Sequence, residues 1–195
     1  MSKLLAGVIA SLALWGGAAQ AVPITYQGVF SGSAINPANA SPAVGTTTVI
    51  YDDVAHTLFI SEDFSGLLGP TTASHIHCCA PLPKDNAGVA TQVPTFIGFP
   101  LGVTSGSYSH LFDLTQLSSF NGAFVTANGG TVASAEAALA GGLARREAYV
   151  VIHTEVFRPG EIRANLAAVP EPGTLALMGL GFGLLLAKRR RIPIV

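Results

Sequence analysis

Positive charge is almost missing from the middle of this 195-residue chain. Of its ten lysines and arginines, Lys3 lies near the start and Lys188, Arg189, Arg190 and Arg191 lie near the end. Between residues 22 and 168 only Lys84, Arg145, Arg146, Arg158 and Arg163 remain, against ten carboxylates, a net charge of about −5. Nucleic-acid binding needs a basic patch, and its absence excludes that class of partner. Cysteine is equally scarce, with Cys78 and Cys79 the only two. The sequence also lacks a Ser-His-Asp set, a phosphate-binding glycine loop, a nucleotide fingerprint and any internal repeat. The expectation is a protein that is not an enzyme.

What is present is concentrated first at the ends, and the mean hydropathy of +0.50 owes much to them. Met1-Ser2-Lys3 gives a basic start, Leu4 to Gly17 an apolar stretch, and Ala19-Gln20-Ala21 a small-x-small cleavage pattern. Residues 1–21 therefore read as a signal peptide. At the other end Pro170-Glu171-Pro172 precedes an uncharged run from Gly173 to Ala187 and then the basic cluster 188–191. Fifteen residues make about 22 Å of helix, short for a membrane span. Snorkelling basic side chains let such a segment suffice, and their charge places the preceding domain outside the inner membrane. In this order of parts, residues 169–195 resemble the PEP-CTERM sorting segment of Gram-negative bacteria. That resemblance implies a C-terminal transmembrane helix, recognition by an exosortase at the inner membrane, and removal of the tail. It also implies a host that makes exopolysaccharide or biofilm.

Residues 22–168 have the size of one domain and a β texture. Short segments rich in Thr, Val, Ile, Tyr and Phe are separated by Gly, Pro, Asn and Asp. Leu58, Ile60 and Phe64 share one face of a period-2 strand, with Ser61 and Asp63 on the other. Residues 108–114 and 149–154 alternate likewise, and Glu161 to Leu166 reads as a final strand. One helix is expected over Ser134–Ala140, opened with Glu136 in its first turn and ended by Gly141-Gly142. The stretch 81–106 reads as a long loop of the functional or mobile kind. The fold class is all-β: an antiparallel Greek-key-like sandwich, immunoglobulin-like or Cu,Zn superoxide dismutase-like, or a barrel, with one short helix.

Two stretches carry a family resemblance. Gly66-Leu67-Leu68-Gly69-Pro70 leading to His75-Ile76-His77, and Tyr149 to His153-Thr154 continuing through Pro159-Gly160-Glu161-Ile162-Arg163 to Leu166, resemble the CHRD domain over about 24–166. Cys78, Val151 and Ala164 depart from its usual residues. The resemblance implies a β-sandwich and no established reaction.

Chemistry is concentrated on His75, His77 and His153. Residues i and i+2 of a strand point the same way, so His75 and His77 can converge on one metal while Ile76 packs inward. His153 completes the set if its strand lies alongside, with Glu161 as a ligand or supporting group. The pattern is similar to the "HVH" copper strand of Cu,Zn superoxide dismutases, although only His56 and His110 are left for a second metal. The alternative is that these histidines hydrogen-bond across a hairpin and hold the sheet edge. His56, on a turn after Asp52-Asp53, reads as exposed and outside the set. Cys78 and Cys79, in a compartment that permits disulfides, are a vicinal disulfide, free thiols, soft metal ligands or a link to another chain. The first and third are favoured, although Cα separations of about 4.4–6.8 Å are usual and neighbours lie roughly 3.8 Å apart. Glu161 and Arg163 share a strand face and are expected to pair or to cap a loop.

Two functions follow as expectations. One is an exported, non-enzymatic module of the cell surface or matrix that contacts exopolysaccharide or other surface proteins. The other is a protein that binds one copper or zinc ion, or acts in redox chemistry, through His75, His77 and His153. Intact-mass analysis of surface-released protein tests the processing: residues 1–21 and those after about Pro172 should be absent. Retention of Arg189–Arg191 at the surface excludes tail removal.

Overall fold

The computed structural model describes residues 22–170, apart from Leu82 and Lys84. The expected signal peptide, Glu171, Pro172 and the apolar and basic parts of the tail lie outside the described residues. Among the described residues no helix is long and apolar enough to cross a membrane.

The domain is mostly β and antiparallel. Its strands are β1 (Ile24–Ser31), β2 (Val44–Asp52), β3 (Thr57–Ser65), β4 (Thr71–His77), β5 (Gly106–Asp113), β6 (Tyr149–Thr154), β7 (Ile162–Asn165) and β8 (Ala167–Ala168). They follow the order β4-β6-β7-β1-β2-β3-β5, with β8 alongside β1. Period-2 patterning decides which face each strand buries. Leu58, Ile60 and Phe64 of β3, Tyr26 and Phe30 of β1, Val49 of β2, and Tyr108 and Phe112 of β5 enter one core. Ile76 of β4, Val150 and Ile152 of β6, and Ile162 and Ala164 of β7 enter the same core from the other part of the sheet.

The arrangement differs from two separate packed sheets. β1 joins β7 at the single pair Ser31↔Arg163, so the two groups of strands are continuous through one corner. The sheet curls there until the Ser74 hydroxyl of β4 reaches the Glu62 carboxylate of β3, at 3.0 and 2.9 Å. Segment 78–105 is mainly loop, as its composition suggests, but it is anchored. Its backbone amides at Ala90 and Phe96 donate to the Ile76 and Ser74 carbonyls along the free edge of β4.

Two helices are present rather than one: α1 (Gly122–Ala127) and α2 (Val132–Ala144). Thr131 and Ser134 form a reciprocal capping box that starts α2 earlier than Ser134. Glu136 lies past the first turn and faces inward, accepting from Tyr51 Oη at 3.1 Å and contacting His56 Nδ1 at 3.0 Å. Gly141-Gly142 does not end the helix, because glycine is needed inside it. A Cβ at Gly142 would lie 2.6 Å from Cys79 Sγ and closer still to Cys78 Sγ. Packing on the disulfide thus overrides the helix-breaking tendency of glycine.

Glu62 is fully buried, and burial pushes its carboxyl up to about 8, with the Ser74 hydroxyl pulling partly the other way. The folded state therefore holds a proton that the unfolded chain releases above its usual value of 4.5. Stability from this group is full below pH 4.5 and declines as pH rises through about 8. Glu62→Gln should remove that decline, so melting curves recorded from pH 5 to 9 should converge at low pH and separate at high pH in favour of the variant. Parallel curves for the two proteins would refute the assignment.

Candidate metal centre

The pairing of β4 with β6 builds the site. The register opposes Ala73 to His153, His75 to Val151 and His77 to Tyr149. Because Ile76, Val150 and Ile152 point into the core, His75, His77 and His153 emerge together on the opposite face. The ring centroids of His75 and His153 are 4.9 Å apart, and each lies 5.7 Å from His77, to the first digit, in the 75–77 and 77–153 pairs. One nitrogen from each ring falls within 4.8 Å of the other two.

The remaining nitrogens fix the tautomers. His75 Nε2 lies 2.7 Å from the Pro94 carbonyl, His77 Nδ1 2.8 Å from the Ala87 carbonyl, and His153 Nδ1 2.9 Å from the Arg158 carbonyl. A carbonyl only accepts, so each of these nitrogens carries the proton and donates. Burial holds His75 and His77 down at about 4 and lowers His153 as well, so the rings are neutral near pH 7. The inward nitrogens, His75 Nδ1, His77 Nε2 and His153 Nε2, are then bare lone pairs. All three are buried without a hydrogen-bond partner. Converging lone pairs without donors are costly, and a shared metal ion satisfies them. Backbone carbonyls that orient ligand imidazoles are the usual supporting shell of such a centre.

A layer of side chains fixes this shell. The Tyr149 ring stacks on His77 with centroids 5.2 Å apart and planes 12° off parallel, and Tyr149 Oη accepts from the Ala87 amide at 2.7 Å. From β7 the Arg163 guanidinium lies 3.4 Å from the Tyr149 ring centroid. It donates to the carbonyls of Pro83 and Asp85 and to Asn165 Oδ1.

Glu161 does not pair with Arg163 and does not face the histidines. It is fully buried and accepts from Ser41 Oγ, the amides of Leu68 and Gly69, and Thr154 Oγ1. Each residue fastens different loops, so the expected ion pair gives way to two separate anchors. Cys78 and Cys79 form a disulfide with each other, which leaves no thiolate to join the histidines. It packs against Gly142 and forms one wall of an adjacent pocket with Val89, Phe124 and Asn128. His56 is partly exposed but docked on Glu136, away from the cluster. The carbonyls of Ala87, Pro94 and Arg158 escaped sequence reasoning because every residue has one. Tyr149 carried a usable signal: it opposes His77 once β4 and β6 are paired.

An antiparallel β domain with a histidine set across two neighbouring strands, followed by a tail of sorting type, defines the class. The chain belongs to the CHRD family: the CHRD domain matches residues 26–166. A PEP-CTERM protein-sorting motif matches residues 168–191 and implies export, exosortase recognition and membrane-associated sorting to the cell surface. No curated protein and no solved structure matches the chain.

The low folded-state values of His75 and His77 set a sign. These groups contribute stability above the ordinary value of 6.5, and that contribution is lost as pH falls towards about 4. In metal-free protein the ring signals of both residues should stay constant by NMR from pH 8 to about pH 5. A midpoint near 6.5 for either ring, in protein that is still folded, contradicts the buried arrangement.

Proposed function

We propose that this is an exported CHRD-domain protein that holds one copper or zinc ion through His75, His77 and His153, and serves at the cell surface as a binding module, not as an enzyme. The observation that carries the reading is the convergence of three buried, unpartnered imidazole nitrogens. Hydrogen bonding to loop carbonyls accounts for one nitrogen of each ring and leaves the other three unexplained. His75 Nδ1, His77 Nε2 and His153 Nε2 are the ligand atoms, and the Pro94, Ala87 and Arg158 carbonyls hold them in aim. The ion would supply a positive centre binding the two strands.

A holding role is favoured over catalysis because the ligand atoms themselves are shielded from solvent. Placement outside the cell rests on the sorting motif. In our reading the signal peptide spans 1–21, the apolar run 173–187 crosses the inner membrane until an exosortase removes it, and the released domain joins an exopolysaccharide-rich matrix or biofilm. Its negative charge suits soluble matrix life and contact with other surface proteins or cation-bridged polysaccharide.

Calorimetric titration with Cu(II) and Zn(II) tests the reading. Wild-type protein should bind one equivalent of at least one of them, or of Cu(I) supplied anaerobically, and His77→Ala should lose about 10- to 100-fold or more in affinity. Binding should persist at pH 5, where an ordinary histidine site is mostly protonated, because His75 and His77 are held near 4. His56→Ala should keep the metal but melt slightly lower, having lost its contact with Glu136. Protein that binds neither of these ions, nor Cu(I) under anaerobic conditions, at pH 7 leaves the structural role alone standing.

A further inference from the structure

Charge decides which ion the histidine site prefers. Its three ligands are neutral, so a bound ion keeps its full charge within a solvent-shielded cluster. Carboxylates commonly offset a divalent ion, and among the described residues none joins these rings. Glu161, the candidate the sequence offered, is committed to Ser41, Leu68, Gly69 and Thr154. No thiolate is at hand either, because both cysteines are in the disulfide. The formal charge that reaches the set among the described residues is of the wrong sign: the Arg163 guanidinium, behind the Tyr149 ring, opposes positive charge on His77.

Desolvation cost grows as the square of the charge, so a dication suffers about four times the penalty of a monocation in the same place. Coordination number points the same way. Zinc wants a fourth ligand, and three-histidine zinc sites normally take it from water at an open position. Here all three ligand nitrogens are closed to solvent. A monovalent ion content with three nitrogens meets both constraints.

We infer that the ion held by His75, His77 and His153 is copper in its monovalent state, and that the site discriminates against divalent zinc by lacking any anionic partner. This rests on the trihistidine reading above and adds the charge state of the ion. The step is binding alone, with copper supplied as Cu(I) and no electron transferred at the site.

The test uses the purified exported protein with its disulfide intact. Cu(I) is supplied anaerobically as its acetonitrile complex, without thiol reductant, and competed against a chromophoric Cu(I) chelator. Zn(II) is titrated separately against a zinc indicator. Wild-type protein should bind one Cu(I) and bind it more tightly than Zn(II), with His77→Ala losing the Cu(I). His153→Asp puts one carboxylate into the set, and it should weaken Cu(I) and strengthen Zn(II) so that the preference narrows or reverses. Circular dichroism checks that both variants remain folded, and His75→Asp replaces His153→Asp if that protein does not fold. Zn(II) bound more tightly than Cu(I) by the wild type overturns the inference and leaves the trihistidine site standing. Binding of neither ion overturns both. An unchanged preference in the folded aspartate variant also overturns it, because charge would not be the discriminator.

Discussion

A buried guanidinium holds the histidine face together. Ala90, Phe96 and Phe99 carry the later part of the segment after β4 into the main core, but among the described residues of 80–89 only Ala80 and Ala87 pack on this face, against Tyr149, Val151 and Ile35. Such a contact is small for ordering a loop whose residues each lose conformational freedom. Arg163, 1% exposed, supplies the missing attachment by donating to two of the loop's carbonyls while its plane rests on Tyr149. Lysine has neither the fork nor the flat face for this. Tyr149 then fixes Ala87, and Ala87 fixes the proton-bearing nitrogen of His77. The aim of one imidazole therefore depends on an arginine two strands away.

Much of this was legible from residue order, and the rest was not for definable reasons. Alternation along β3 exposed the core face of Leu58, Ile60 and Phe64, and the i, i+2 rule placed His75 and His77 side by side. Both are local facts of strand geometry. The continuity of the sheet depends on one residue pair, Ser31↔Arg163, which no local pattern encodes. Gly141-Gly142 looked like a helix stop because the sulfur atoms that require glycine there come from Cys78 and Cys79, distant in the chain. Glu161 and Arg163 share a strand and a face, yet sequence cannot say that four donors would converge on one and three acceptors on the other. The same holds for His56, whose partner Glu136 arrives on a separate helix.

The histidine set also differs from its parts in when it exists. His75 and His77 are neighbours in any extended chain, but His153 joins them only when β6 pairs with β4. Ligands scattered along an unfolded chain make a poor site, so any metal affinity of this face would be coupled to its folding. The sorting motif implies export, so the metal supply outside the cytoplasm is what the site would meet.

The covering segment has one more effect, through the backbone alone. By donating from Ala90 and Phe96 to β4 it occupies hydrogen-bonding groups along an outermost strand of the sheet. Bare outermost strands recruit strands from other molecules, and the tendency grows with local concentration. A protein sorted to a surface is concentrated there by design. Neighbouring copies that crowd against this side find a strand already spoken for, and so can sit close without knitting into fibres along it.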